Sequence, residues 1–329
     1  MTLSTFWFIV IALLWTGFLV LEGFDFGVGM LHDIVGRDEV GRRLVLRTIG
    51  PVWDGNEVWL IVAGAGMFAA FPGWYATMFS GLYLAMLVLL AALILRGLSF
   101  EFRGKHDSRR WRRWWDLAQT GGSLLIPLLV GVALANLLRG LPIDSRQEFT
   151  GNLLTLLSGY STLAGVTLVL ICLLHGAAFL TLKTDGDLRE RAIAVARRVA
   201  PVTAVAVIAF VIWTRIQSGR GFPPSVMEVA ATLAVIAAAW LVAVGRDGWA
   251  FAATTITMGT VVLSIFTDLY PRVMVSTLGA ANDLTIDNAS SSAYALKVMT
   301  VVAVLLFPLV LAYQSWSYYI FRRRISRAP

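Results

Sequence analysis

Four carboxylates stand at the ends of two apolar runs early in the chain, and their type and spacing suit proton chemistry. Glu22 and Asp25 close the first run, within Leu21-Glu22-Gly23-Phe24-Asp25-Phe26-Gly27-Val28-Gly29. Asp54 and Glu57 open the second, within Pro51-Val52-Trp53-Asp54-Gly55-Asn56-Glu57-Val58-Trp59-Leu60. A separation of three puts both members of each pair on one helical face. Acids at the mouth of an apolar run are expensive to keep there, so they ask for a functional explanation. A carboxyl partly removed from water can bind and release a proton. The structural alternative is that these acids cap helices, pair with Arg47 and Arg96, and anchor the connecting loop.

The elements that must position them are membrane helices. Of 329 residues, 58% are hydrophobic and only 14% charged, and the mean hydropathy is +0.75. A soluble domain carries about 25% charge. The single cysteine, Cys172, lies in an apolar run without a partner, which excludes a disulfide framework or a thiolate metal site. The first apolar run has no basic residue before it and no small-residue cleavage site, so it reads as a retained span.

Taking about 20 apolar residues per crossing, nine runs qualify, near 5–29, 53–71, 75–96, 117–138, 159–182, 199–216, 226–244, 249–269 and 293–320. The sixth and seventh are divided by the Gly219–Pro224 breaker cluster. With the N-terminus outside, the inner segments hold most of the 27 Lys+Arg: Arg37–Arg47, Arg96–Arg113, Lys183–Arg198, Arg246 and Arg322–Arg327. The outer segments keep Arg139, Arg146, Arg215, Arg220, Arg272 and Lys297. That bias supports nine crossings with the C-terminus inside. All four acids then fall at the inner ends of the first two helices, joined by Arg96 and Glu101 from the inner end of the third.

Other features read as packing or anchoring. Gly23 with Gly27, and Gly64 with Gly66, form small faces that let backbones approach. Trp53 fits an interfacial belt and Trp59 a packing position. In 103–116, Trp111, Trp114 and Trp115 share one helical face, with Arg109, Arg110, Arg112 and Arg113 off it. That pattern predicts a short helix lying in the interface, its arginines on anionic lipid headgroups, and it makes nucleic acid a poor partner. Pro127 and Pro308 should kink their helices or be accommodated by neighbours. Ser290, Ser291 and Ser292 are placed to cap the last helix.

Redox chemistry lacks residues. Of three histidines, His32 and His106 are assigned to inner loops, leaving only His175 within a helix. A bis-histidine haem site needs two buried imidazoles, so His175 reads as a hydrogen-bonded packing residue. No nucleotide loop, hydrolase triad or metal cluster with recognisable spacing appears. By its own residues the chain binds no cofactor and no metal.

The motifs Gly-Phe-Asp-Phe-Gly-Val-Gly (23–29) and Trp-Asp-Gly-Asn-Glu-Val-Trp-Leu (53–60) resemble subunit II of cytochrome bd-type quinol oxidases. The likeness extends to Phe68-Ala69-Ala70-Phe71-Pro72, Arg96-Gly97, Phe100-Glu101-Phe102-Arg103 and Ala289-Ser290-Ser291, and covers residues 1 to about 325. It implies an all-α integral membrane protein of the bacterial plasma membrane, with nine transmembrane helices as two four-helix bundles plus one peripheral helix. The corresponding divisions are 1–140, 141–270 and 271–329. It also implies a heterodimer with a subunit I that carries haems b and d and the quinol site, with quinol and O2 handled through the complex. The acid of Trp-Asp-Gly-Asn carries over as a proton-delivery residue at Asp54, beside Trp53, and less directly at Asp25, Glu57, Glu22, Arg96 and Glu101. Glu22 and Glu101 stand where Asp is as readily expected, and Glu57 where some members have Gln. The competing class is a proton-coupled transporter or channel, against which stands the lack of paired broken helices at mid-membrane.

Overall fold

A computed structural model describes residues 2–221 and 223–326; Arg327, counted above, lies outside them. Helix α1 spans Leu3–Val35, about 50 Å at 1.5 Å per residue. Thr2 caps it by accepting the Thr5 N–H at 3.1 Å, and no proline interrupts it. It stops at Gly36, where a Cβ would lie 2.5 Å from the Arg42 nitrogen. Glycine there lets the short helix α2 (Glu39–Arg47) fold back, capped by Asp38 through the Gly41 N–H at 2.7 Å.

Helix α3 spans Trp53–Ala70. The third predicted run is bent into α4 (Pro72–Gly81) and α5 (Tyr83–Phe102), which meet at Leu82. Gly81 leaves room at that bend for Phe149, whose Cβ is 2.9 Å from where a Cβ of residue 81 would stand. There follow α6 (Arg109–Arg139), α7 (Gly159–Lys183), α8 (Gly186–Ser218), α9 (Val226–Ala243), α10 (Asp247–Leu269) and α11 (Ala293–Ile320). Among the described residues eight helices are long and apolar enough to cross a membrane. Helix α3 falls short on composition because Asp54, Asn56 and Glu57 occupy its first turns.

The helix ends gather on two faces. Ser4 bonds Ser290 at 3.5 Å, and Ser291 Oγ donates to the Ala69 carbonyl at 2.6 Å, so the first residues, the end of α3 and the start of α11 lie together. The antiparallel strands β1 (Arg272–Met274) and β2 (Leu284–Thr285) cover that face. Ile325 donates its N–H to the Lys183 carbonyl at 2.8 Å, which places the last described residues on the opposite, arginine-rich face.

Helix α1 is the centre, packed against α3, α6, α7 and α10. A Cβ at Gly27 would fall 2.7 Å from the Gly176 Cα, and one at Gly131 2.7 Å from the Gly165 Cα, so α7 meets α1 and α6 backbone to backbone. Gly64, expected to pack, instead opens onto a lateral apolar cavity of about 570 Å³ between α3, α5 and α6. Helix α11 buries only Leu296 fully, and Trp7 holds it through the Thr300 hydroxyl at 3.0 Å.

Three further expectations change. Residues 109–116 form no separate interfacial helix: Ser108 caps one unbroken α6, because nothing between Arg109 and Arg139 stops a helix and Pro127 is accommodated within it. The sixth run is the latter half of α8, whose first half carries the basic residues 189–198. His32 belongs to α1 and is fully buried, since the helix continues past the polar residue that ended the apolar run.

Candidate functional site

Glu22 and Asp25 project from α1 into the interior with no exposed surface. Helix α5 brings Arg96 to them, also fully buried, with Nη1 2.6 Å from Glu22 Oε1 and 3.4 Å from Glu57 Oε2. The guanidinium lies over the rings of Phe26 and Phe100, 4.9 and 5.7 Å from their centroids, where the ring faces favour a cation. Its Nε donates to Ser123 Oγ at 3.3 Å. Trp53 stacks on Phe100 at 4.6 Å and so closes the side toward the arginine-rich face.

Asn56 is the hub of the second half of the site. Its Nδ2 donates to Asp25 Oδ2 at 2.7 Å and to the Leu21 carbonyl at 3.1 Å. Its Oδ1 accepts from Gln314 at 2.9 Å and from Tyr318 at 2.8 Å, both on α11. Glu22 Oε2 and Asp25 Oδ1 are buried and take no N–H or hydroxyl from the chain, and the two carboxyls lie close enough to hydrogen-bond each other when one is protonated. Arg96 thus pairs with Glu22 and Glu57, while Asp25 has only the neutral Asn56 as donor. Three carboxyls stand beside one guanidinium, so the cluster can hold protons as well as charges.

The predicted residues separate by depth. Glu22, Asp25, Arg96 and Glu57 come together as expected, and Glu57 retains 22% of its side-chain exposure. Asp54 is exposed one turn outward, in the first turn of α3, where the helix dipole favours an acid. It makes no ion pair with Arg47, which is exposed as well. Glu101 also lies on the surface, apart from the cluster.

A second charged group, nearer the arginine-rich face, was not anticipated. His32 donates from Nδ1 to the Gly29 carbonyl (2.8 Å), and its Nε2 lies 3.2 Å from Asp116 Oδ1. Arg103 reaches Asp116 at 2.6 Å and clasps Glu39 with two hydrogen bonds of 2.9 and 3.0 Å. Arg42 lies 2.5 Å from Asp33. Burial alone would raise the Glu39 carboxyl, but the Arg103 hydrogen bonds, with Arg43 adding to them, outweigh it and hold it below its ordinary value. His32, Asp33 and Asp116 bring donor atoms within 4.8 Å of one another, the reach of a metal site. Two guanidiniums already occupy those carboxylates, so the group reads as an ion-pair network.

The sequence matches the family model described as cytochrome bd terminal oxidase subunit II over residues 3–321. The chain belongs to that family. The subunit is 45% identical, over 99% of its length and 97% of the relative's, to cytochrome bd ubiquinol oxidase subunit 2 of Bacillus subtilis. It is 36% identical to cytochrome bd-I ubiquinol oxidase subunit 2 of Escherichia coli, covering 98% of this chain and 94% of that one. The structure of bd oxidase from Geobacillus thermodenitrificans shares its fold, with a TM-score of 0.66 over 97% of both chains at 9% identity.

Sequence reasoning missed Asn56, Gln314, Tyr318, Ser123 and Gln119 in this subunit. Gln119 bonds the Ser99 hydroxyl within the same cluster. The available signal was polar pairs four apart inside apolar runs: Gln119 with Ser123, and Gln314 with Tyr318. It also missed Glu228 and Asp268, buried on the N-terminal face with Arg215 at 3.9 and 3.7 Å. Glu228 there completes the capping box of α9 with Ser225.

Proposed function

We propose that this chain is the haem-free subunit II of an electrogenic quinol:O2 oxidoreductase in the bacterial plasma membrane. It crosses nine times, as two four-helix bundles (within 1–140 and 141–270) with α11 beside them, N-terminus outside. It supports assembly of a subunit I that holds haems b and d and oxidises quinol. It does no catalysis alone. Both buried imidazoles support the haem-free reading. His175 spends Nδ1 on Thr254 (2.8 Å) and Nε2 on the Val20 carbonyl (3.3 Å), and His32 spends both nitrogens as described, so neither fits an iron ligand.

The observation that carries the functional reading is the graded line from exposed Asp54 through half-buried Glu57 to buried Glu22 and Asp25. It suits proton uptake from the arginine-rich face, taken as cytoplasmic. Asp54 collects the proton, Glu57 passes it inward, and Glu22 and Asp25 hold it. Arg96 is a positioning residue, since guanidinium keeps its proton. Trp53 walls the passage and Glu101 contributes charge at its mouth. Protons drawn from one side for water formation move charge across the membrane, worth about 2.3 kcal/mol per charge per 100 mV.

Asp54→Asn tests this. The residue is exposed and unpaired, so the substitution should leave assembly and haem content intact and slow quinol-driven oxygen uptake per haem several-fold. Asp54→Glu should retain part of the activity. Unchanged uptake per haem in Asp54→Asn removes the residue from the mechanism.

A further inference from the structure

A polar cavity of about 740 Å³ opens on the arginine-rich face, lined by Arg42, Arg109, Arg112 and Arg113 against Asp33, Glu39 and Asp116. Its acids are already committed: Glu39 and Asp116 to Arg103, Asp33 to Arg42. Arg112 has the fully exposed Asp107 at 2.6 Å, and its Nε lies 3.9 Å from Glu39 Oε1, within ion-pair reach but without a hydrogen bond. Among the described residues Arg109 and Arg113 have no acid partner. These three arginines occupy the first turns of α6, which contain no acid before Asp116. Positive charge is disfavoured at a helix N-terminus, so the arrangement is costly unless an anion sits among the guanidiniums.

The cavity does not end in water on all sides. Leu117, 57% exposed, lines it and also lines an apolar groove of about 610 Å³ between α5 and α6. Val88, Ala91, Leu95, Ala118 and Gly121 form that groove, with Trp114 exposed at its rim. Nothing lies within 4 Å of where a Cβ of Gly121 would point. A cationic chamber that continues into an apolar channel is complementary to one kind of molecule, an amphiphile with an anionic head. A free phosphate would use only the chamber.

We propose that the chamber and groove together form a binding site for one anionic phospholipid. Its phosphodiester sits among Arg109, Arg112 and Arg113, and an acyl chain runs along Ala91, Ala118 and Gly121. This differs from a diffuse attraction of basic residues to the membrane surface, because it fixes one lipid at one place.

The test uses the complex with its partner subunit, delipidated in detergent and titrated with dioleoylphosphatidylglycerol, bound lipid being counted by native mass spectrometry. The wild type should take up one lipid ahead of the rest. Arg109→Gln with Arg113→Gln should weaken that lipid roughly thirtyfold, taking the usual contribution of a basic residue beside an anionic lipid surface for each arginine. Gly121→Leu, which fills the groove from a position with open space, should weaken it with the arginines intact. Inorganic phosphate at equal concentration should not compete. Equal lipid retention in the arginine variant overturns the proposal. So does competition by phosphate combined with no effect of Gly121→Leu, which would make this a free-anion site. Failure of Gly121→Leu to assemble overturns it too, because the groove would then be a subunit contact.

Discussion

The two charged groups along α1 are made from the same kinds of residue and differ in how their carboxylates are paired. Around His32 the acids have arginines in hydrogen-bonding range: Asp116 and Glu39 on Arg103, Asp33 on Arg42. Around Glu22, about 15 Å back along the helix at 1.5 Å per residue, Arg96 pairs with Glu22 and Glu57 only, and Glu22 Oε2 and Asp25 Oδ1 take no N–H or hydroxyl. Buried polar groups are normally satisfied, so a shortfall marks either a cost or a use. On the proposed reading, pairing separates scaffold from chemistry where charge and burial do not. The His32 network ties α1, α2, α5 and α6 together, whereas the Glu22 network leaves room for the proton role proposed above.

The comparison can be broken most decisively at Arg96. Arg96→Leu leaves Glu22 and Glu57 without their cation in the interior, and removing one partner of a buried pair costs about 3–5 kcal/mol. The expected outcome is loss of assembled complex, read as haem recovered per membrane protein. Normal recovery would show that the inner carboxyls do not need the charge.

Asn56→Leu should come next. It removes the donor to Asp25 and the acceptor for Gln314 and Tyr318, which at about 1 kcal/mol per hydrogen bond is a cost of about 2–4 kcal/mol. Thermal melting of the complex would measure it. The surviving complex should also turn over more slowly, because Asp25 loses the group that orients it.

Arg103→Gln sharpens the contrast from the other side. It should lower the melting temperature, by about 2–3 kcal/mol of stability, and leave oxygen uptake per haem unchanged. A fall in turnover without a fall in stability would move the His32 network into the mechanism.

The smallest effect is the pH dependence carried by Glu39. Its carboxyl is held below its ordinary value, so its contribution is present above the unfolded carboxylate value, about 4.3, and is lost as pH falls through the lower folded value. Wild type and Glu39→Gln should therefore differ in melting temperature at neutral pH and converge in acid. A difference that persists at low pH would mean that charge is not what Glu39 contributes.

Much of this was legible from local spacing. Glu22 with Asp25 and Asp54 with Glu57 each fall on one face because helical geometry fixes that for residues three apart. The small face of Gly23 and Gly27 packs as its spacing implies, against Met258, Cys172 and Gly176. What escaped were relations that local spacing does not encode. Asn56 meets Gln314 and Tyr318 across more than 250 positions of chain. His32 was assigned to a loop because polarity was taken to end the helix, although hydrogen bonds to Gly29 and Asp116 satisfy it inside. Trp111 and its neighbours read as a surface helix because an amphipathic pattern says nothing of where a helix stops.

The glycine contact between α1 and α7 has a further consequence. Gly27 and Gly176 touch through backbone, with no side chain between them that could change rotamer and absorb a displacement. Sliding one helix past the other by a single residue would drive Val28 or Ala177 against a peptide plane, so intermediate positions are forbidden. The junction acts as a detent. It fixes the height of Glu22 and Asp25 against the second half of the chain, whatever the thickness of the surrounding bilayer.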